Sequence, residues 1–183
     1  MKSCLIIGAA VAGLAFGALL FLSVIGELHA YRVPTGGMKP TIEPGDDFYS
    51  ERISYHFRKP RRGDIVVFAT KGNPLIPESA SGAAPIFIQR IIGLPGDTLE
   101  MHFGDLLVNG KSDPALAERK IVPGPSYLNA DGPPVHVPLD SYFVAGDNSP
   151  NSFDSRYWGF LPAKNIKGRA WLRYWPLSRF GFL

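Results

Sequence analysis

Hydrophobic positions along this chain change rhythm once. From Cys4 to Gly26 no residue is charged, and most are Leu, Ile, Ala, Val or Phe. About 20 apolar residues cross the hydrocarbon core of a bilayer as a helix, so the run predicts one N-terminal transmembrane helix. A cleaved leader is the competing reading, with an apolar region of about 7–15 residues. Leu28-His29-Ala30 offers a small residue where such a cleavage would fall. Lys2 precedes the run, and positive charge tends to stay cytoplasmic. The expected topology is therefore a single-pass plasma-membrane protein, N-terminus inside and C-terminal domain outside. Glu27 to Arg32 reads as a very short linker.

Beyond the linker the pattern is that of strands and turns. Asp47 to Ile53 follows a Pro44-Gly45-Asp46 turn, and the apolar run Ile65 to Phe68 follows the turn at Arg61 to Asp64. Thr70 to Pro85 is rich in Gly, Pro, Ser and Ala and reads as a surface loop. Ile86 to Leu94 is a strand stopped by Pro95-Gly96-Asp97. Thr98 to Val108 reads as a hairpin arm, with Asn109-Gly110 as the turn signal. Leu116 to Pro138 has no clear period, and Ser141 to Ala145 is a strand leading into Gly146-Asp147-Asn148. After the membrane segment only Pro114 to Arg119 suggests a helix.

Composition narrows the function classes. A chain of 183 residues suits one compact unit with an appendage. Its 20 glycines and 17 prolines belong to no low-complexity tract, which implies many turns. The net charge of +3 is not gathered into one run. That argues against nucleic acid as a partner and suits an anionic membrane surface better. Cys4 is the sole cysteine, so there is no intrachain disulfide and no thiol nucleophile outside the apolar run. His29, His56, His102 and His136 are scattered, with no ligand spacing for a metal, and no cofactor is expected. Near the end, Trp171, Tyr174, Trp175, Phe180 and Phe182 alternate with arginines. They suit either a membrane–water interface or a last strand and tail packed on the core.

Four segments carry the chemistry. The first is Val33-Pro34-Thr35-Gly36-Gly37-Met38-Lys39-Pro40-Thr41, followed by Glu43-Pro44-Gly45-Asp46. The second is Arg62-Gly63-Asp64-Ile65-Val66-Val67-Phe68. The third runs from Gln89-Arg90-Ile91-Ile92-Gly93 to Asp97, and the fourth from Gly146-Asp147-Asn148 through Ser152, Asp154-Ser155-Arg156 and Trp158-Gly159. In order and content they resemble the motifs of the type I signal peptidases, the S26 family. The fourth segment is the most specific. The resemblance implies a mostly β, antiparallel fold behind one membrane anchor. It divides the chain into an anchor at 1–30, a peptidase-type core at 31–98 and 143–183, and an inserted small lobe at 99–142.

In that family a serine hydroxyl attacks the peptide carbonyl and a neutral lysine takes its proton. The serine falls at Gly37 and the lysine at Gln89. Glycine has no side chain, and an amide has no useful basicity. The family pattern makes Thr35 an oxyanion hydroxyl and Ser152 the support of the base, which here would hold the Gln89 amide. Met38, Asp147, Asn148, Asp154 and Arg156 would support the site structurally. An ordinary ion pair is the competing reading for Asp154 and Arg156, and core packing is that for Met38. The implied partners are signal peptides or preproteins, membrane lipid, and an active homologue or secretion machinery. The expected function is a scaffold for binding or cleaving signal peptides that is inactive as written. Two alternatives stand beside it: an active signal peptidase with an unusual or deliberately altered site, and a structural membrane protein that binds no peptide.

Overall fold

A computed structural model describes residues 13, 14, 17, 20, 21, 26–78, 82–114, 116, 119–130 and 132–183. The expected membrane segment lies largely outside them. Among the described residues no helix is long and apolar enough to cross a membrane.

The described strands form two sheets, antiparallel throughout. The larger has the order β1 (Leu28–Arg32), β2 (Asp47–Glu51), β10 (Ile166–Trp175), β3 (Ile65–Ala69), β4 (Ile86–Gly93), β8 (Ser141–Ala145) and β9 (Leu161–Pro162), with β11 (Gly181–Phe182) paired to β10. The smaller is β6 (Asp105–Val108), β5 (Thr98–His102) and β7 (Val135–His136). Two single-turn helices, α1 (Ser54–Phe57) and α2 (Ser155–Trp158), complete the elements used below.

The apolar run in β3 explains why it lies centrally. Side chains alternate between faces along a strand. Ile65 and Val67 pack with Val33, Met38, Ile42, Phe48 and Ala170, while Val66 and Phe68 pack with Ile91, Val144, Trp158 and Leu161. A strand covered on both faces needs no polar positions. A third cluster joins the two sheets through Ile92, Phe143 and Ala145 on one side and Leu99, Val108 and Val137 on the other.

Several expectations change. Glu27 to Arg32 is no mere linker, because Leu28–Arg32 is the edge strand β1, in register with Glu51 to Asp47. Leu28 is buried, which ties the strand to the core. Thr98 to Val108 is a complete hairpin, not one arm of it. Its turn is Phe103-Gly104, both with positive φ (50° and 90°). A phenylalanine rarely adopts that conformation, so it gave no turn signal. Asn109-Gly110 makes a further turn, closed by the Val108–Lys111 bridge. The helix expected near Pro114 falls partly on undescribed residues. Around it, Leu116 N–H donates to the Asp113 carbonyl and Arg119 N–H to that of Leu116, a pair of turns. The C-terminal region contains a last strand and a tail bonded to the body. Arg173 donates to the Thr41 carbonyl (2.8 Å), and Arg179 to that of Pro40 (3.2 Å). Trp175, Leu177, Phe180 and Phe182 remain exposed.

Candidate functional site

The loop from Val33 to Asp46 joins β1 to β2 and is closed at its neck. Val33 N–H donates to the Asp46 carbonyl (3.0 Å), and Gly45 N–H to that of Val33 (2.8 Å). Val33, Met38 and Ile42 are buried in the core and hold the loop down. Met38 therefore packs as core and also borders the cleft. The crest, Thr35 to Gly37, is left facing a cleft of about 410 Å³. Opposite it lie Ile86 to Gln89 of β4, with Asn148, Asn151, Ser152 and Phe153 at the side. The two positions singled out by sequence, Gly37 and Gln89, thus border one cavity, together with Thr35 and Ser152.

The crest is fixed by Asn148. Its backbone N–H donates to the Gly37 carbonyl (3.0 Å) and its side-chain amide to the Gly36 carbonyl (2.9 Å). A Cβ at Gly37 would meet Ser152 Oγ at 3.7 Å and the Asn151 carbonyl at 3.8 Å, ordinary contacts. Gly146 is the opposite case. A Cβ there would lie 2.3 Å from Ser152 Oγ and 2.4 Å from the Gly37 carbonyl, so no side chain fits.

Gln89 is 5 % exposed. Its Nε2 donates to the Phe153 carbonyl (2.9 Å), so its partner is the backbone beside Ser152 and not the Ser152 hydroxyl. Its Oε1 is buried and has no partner among the described protein atoms. An unpaired buried acceptor costs about 1–3 kcal/mol.

A dense ionic brace stands beside this under-used pair. Arg90, the residue after Gln89, forms a two-pronged pair with Asp147 (2.7 Å on each oxygen). Asp147 also accepts from Arg119 (3.0 Å) and from the Thr41 hydroxyl. Burial works against ionisation of Asp147, but Arg90, Thr41 and Arg119 outweigh it and hold the carboxyl below the usual carboxylate range. Asp147 thereby ties the crest loop, β4 and the Arg119 turn together.

Asp154 and Arg156 form a second brace, 0 % and 1 % exposed. Arg156 Nε and Nη2 each reach Asp154 at 2.7 Å. Its remaining donors go to Ser149, Ser152 and the Val122 carbonyl. Asp154 also accepts from Gly146 N–H (2.9 Å) and from Arg156 N–H (3.2 Å), the latter capping α2.

Sequence reasoning missed three contributors. Arg90 lay in view, since alternation along β4 must place it opposite Gln89. Thr41 lies in the first segment with no role implied for it, and Arg119 lies in a stretch without a motif. Among the described residues, no three His, Cys, Asp or Glu side chains are grouped to hold a metal ion.

The comparisons with known proteins agree on one family. Residues 5–175 match the family model described as signal peptidase, peptidase S26. The chain is 45% identical over 151 residues to a "Probable signal peptidase I-2" of Synechocystis sp., covering 82% of this chain and 65% of that protein. It is 42% identical over 162 residues to a "Probable thylakoidal processing peptidase 2, chloroplastic" of Arabidopsis thaliana, covering 88% of this chain and 41% of that protein. It thus spans less than two thirds of the length of either relative. A crystal structure of a signal peptidase I from Enterococcus faecalis is 32% identical, with a TM-score of 0.42, over 61% of this chain and 97% of that one. With a family match running through nearly its whole length, this chain belongs to the peptidase S26 signal peptidase family.

Proposed function

We propose that this protein binds extended, signal-peptide-like segments in the cleft beside Gly37 and does not hydrolyse them by serine–lysine chemistry. The observation that carries this reading is the pairing of β4. Residues Ile86 to Arg90 pair with β3 on one side, whereas pairing with β8 on the other begins at Arg90. Among the described residues the stretch from Ile86 to Gln89 therefore presents a free edge to the cleft, where an extended chain can add as a strand. Its neighbours are mainly apolar, with Phe87 and Ile88 on one wall and Val33, Pro34 and Met38 on the other. That surface suits apolar side chains at alternate positions.

The chemical half of the reading rests on what Gly37 and Gln89 offer. Neither supplies a nucleophile or a base, and the loss of either member of such a unit costs orders of magnitude in rate. The oxyanion side is better furnished, with Thr35 and the Gly37 backbone at the cleft. Asp147, Asn148, Asp154 and Arg156 act as supports. In this reading 31–98 and 143–183 form the peptidase-type core and 99–142 the lobe. Cys4 to Gly26 is the single anchor, with the N-terminus cytoplasmic. β1 begins at Leu28, directly after that run, which keeps the cleft close to the membrane surface and to membrane-embedded preproteins.

The test is a pair of measurements on the full chain in detergent or vesicles. A signal-peptide analogue binds the unmodified protein, and a preprotein is left uncut. Gly37→Ser together with Gln89→Lys then yields cleavage, since the loop has room for the serine side chain. Cleavage by the unmodified chain overturns the inactive reading, and absence of peptide binding overturns the whole proposal.

A further inference from the structure

Positive charge that is dispersed along the sequence is collected by the fold at one end of the larger sheet. There β1 and β10 start and β2 and β3 finish, beside a cavity of about 390 Å³. Arg52, Lys71, Lys164 and Lys167 line it, together with Asn165 and with Gly26, the last residue of the apolar run. No Asp or Glu is among the lining residues. The carboxylates next in sequence are engaged elsewhere: Glu27 meets His56 (2.9 Å), and Glu51 meets Arg169 (3.1 Å) and Ser54. Among the described residues none of the four cations has an ion-pair partner. Hydrogen bonds fix the surrounding chain. Arg52 N–H donates to the Glu27 carbonyl (3.0 Å), and the Asn165 side-chain amide donates to the Lys71 carbonyl (2.9 Å).

We infer that this pocket takes the phosphate of an anionic phospholipid headgroup at the bilayer surface. Like charges gathered without a counter-ion repel one another, and an anion among them relieves that repulsion. The place identifies the source of the anion. Headgroups lie where an apolar spanning segment ends, and Gly26 brings that end to the rim of the pocket. Lys and Arg clusters beside a spanning segment attract acidic lipid headgroups. The inference rests on the anchor reading of Cys4 to Gly26 given above and adds an orientation to it. Ala69, which also lines the pocket, pairs with Ile86, the first residue of the free edge in the cleft. A bound headgroup therefore turns that end of the cleft toward the bilayer, from which a membrane-embedded preprotein arrives.

The experiment titrates the full chain, in a non-ionic detergent, with short-chain phosphatidylglycerol, short-chain phosphatidylcholine or glycerol phosphate, and reads binding by calorimetry. Phosphatidylglycerol binds, and the other two bind about tenfold more weakly or not at all. Lys164→Gln with Lys167→Gln lowers the affinity for phosphatidylglycerol about tenfold or more, and Arg52→Gln with Lys71→Gln does the same. Lys111→Gln with Lys120→Gln removes as much charge away from the pocket. At about 0.15 M salt, where distant surface charges are screened, it changes the affinity less than about twofold. Equal losses in the three double variants overturn the pocket in favour of diffuse attraction. Equal affinity for the two lipids overturns the need for an anion, and equal affinity for glycerol phosphate overturns a lipid as its source. Retention of the full chain in phosphatidylcholine vesicles through carbonate extraction tests the anchor separately. A chain that is extracted fails the anchor reading, and the lipid assignment with it. A retained chain that does not select the anionic lipid fails the headgroup pocket alone.

Discussion

Two groups of residues meet at the cleft, and the fold treats them in opposite ways. Around Asp154 and Arg156 every donor of the guanidinium and both carboxylate oxygens have partners, in a setting closed to solvent. Asp147 is nearly as well supplied. At Gly37 there is no side chain, with space for a Cβ, and at Gln89 an acceptor has no partner among the described protein atoms. Saturated polar groups fix a unique geometry, while unsaturated ones are available to something else. The contrast predicts that the brace carries the stability of this region and that the pair it surrounds carries little.

The sharpest way to break this contrast is to cut the buried brace. Arg156→Met leaves Asp154 charged and enclosed without a counter-ion. Removing one partner of such a pair costs about 3–5 kcal/mol. The urea midpoint should fall accordingly, and a change below about 1 kcal/mol would show that the ion pair is not structural. The glycines give the next effect. Gly146→Ala places a Cβ against Ser152 Oγ and the Gly37 carbonyl, and overpacking of this kind costs about 1–3 kcal/mol or more. Gly37→Ala meets only ordinary contacts and should leave thermal stability unchanged, or raise it by up to about 1 kcal/mol. Equal penalties at the two glycines would erase the distinction.

Asp147 adds a pH dependence. Its folded-state carboxyl titrates below the unfolded value of about 3.9. Its contribution is therefore fully present above about pH 4 and is lost as pH falls through the lower, folded value. Asp147→Asn should be less stable than the unmodified protein at neutral pH by about 1.5–3 kcal/mol, the scale for hydrogen bonds to a charged group. The gap should close on acidification below about pH 4. A gap constant from pH 7 to pH 3 would mean that the charge of Asp147 contributes nothing.

These contrasts also show what could be read from sequence. In the larger sheet β2, β3, β4 and β8 were legible and β1 was not; β3 was the plainest, because a strand buried on both faces is written in uninterrupted apolar residues. The resemblance to the peptidase motifs implied one site for Gly37, Gln89 and Ser152, and the three line one cleft. The Phe103-Gly104 turn was hidden because a left-handed phenylalanine breaks the local rule and is tolerated only by the hairpin it closes. Arg119 was hidden for another reason: its pairing with Asp147 spans distant segments, and no local pattern encodes such a meeting. Nor could composition tell that the Gln89 amide would spend its donor on the Phe153 backbone and keep its acceptor free.

The smallest expected effect is the most pointed. Gln89→Leu removes the Nε2 bond to Phe153 and, with it, the unpaired Oε1. The Phe153 carbonyl keeps the indole N–H of Trp158, at 3.3 Å. Phe87, Ile88 and Met38 are apolar residues lining the same cleft. Losing a neutral hydrogen bond costs about 0.5–1.5 kcal/mol, and relieving an unsatisfied acceptor returns about 1–3 kcal/mol. The balance is a change within about 1 kcal/mol, neutral or stabilising, read as thermal or urea unfolding of the full chain. A destabilisation above about 2 kcal/mol would place Gln89 with the brace, as a structural member of the fold. A neutral result leaves the glutamine amide without a role in stability.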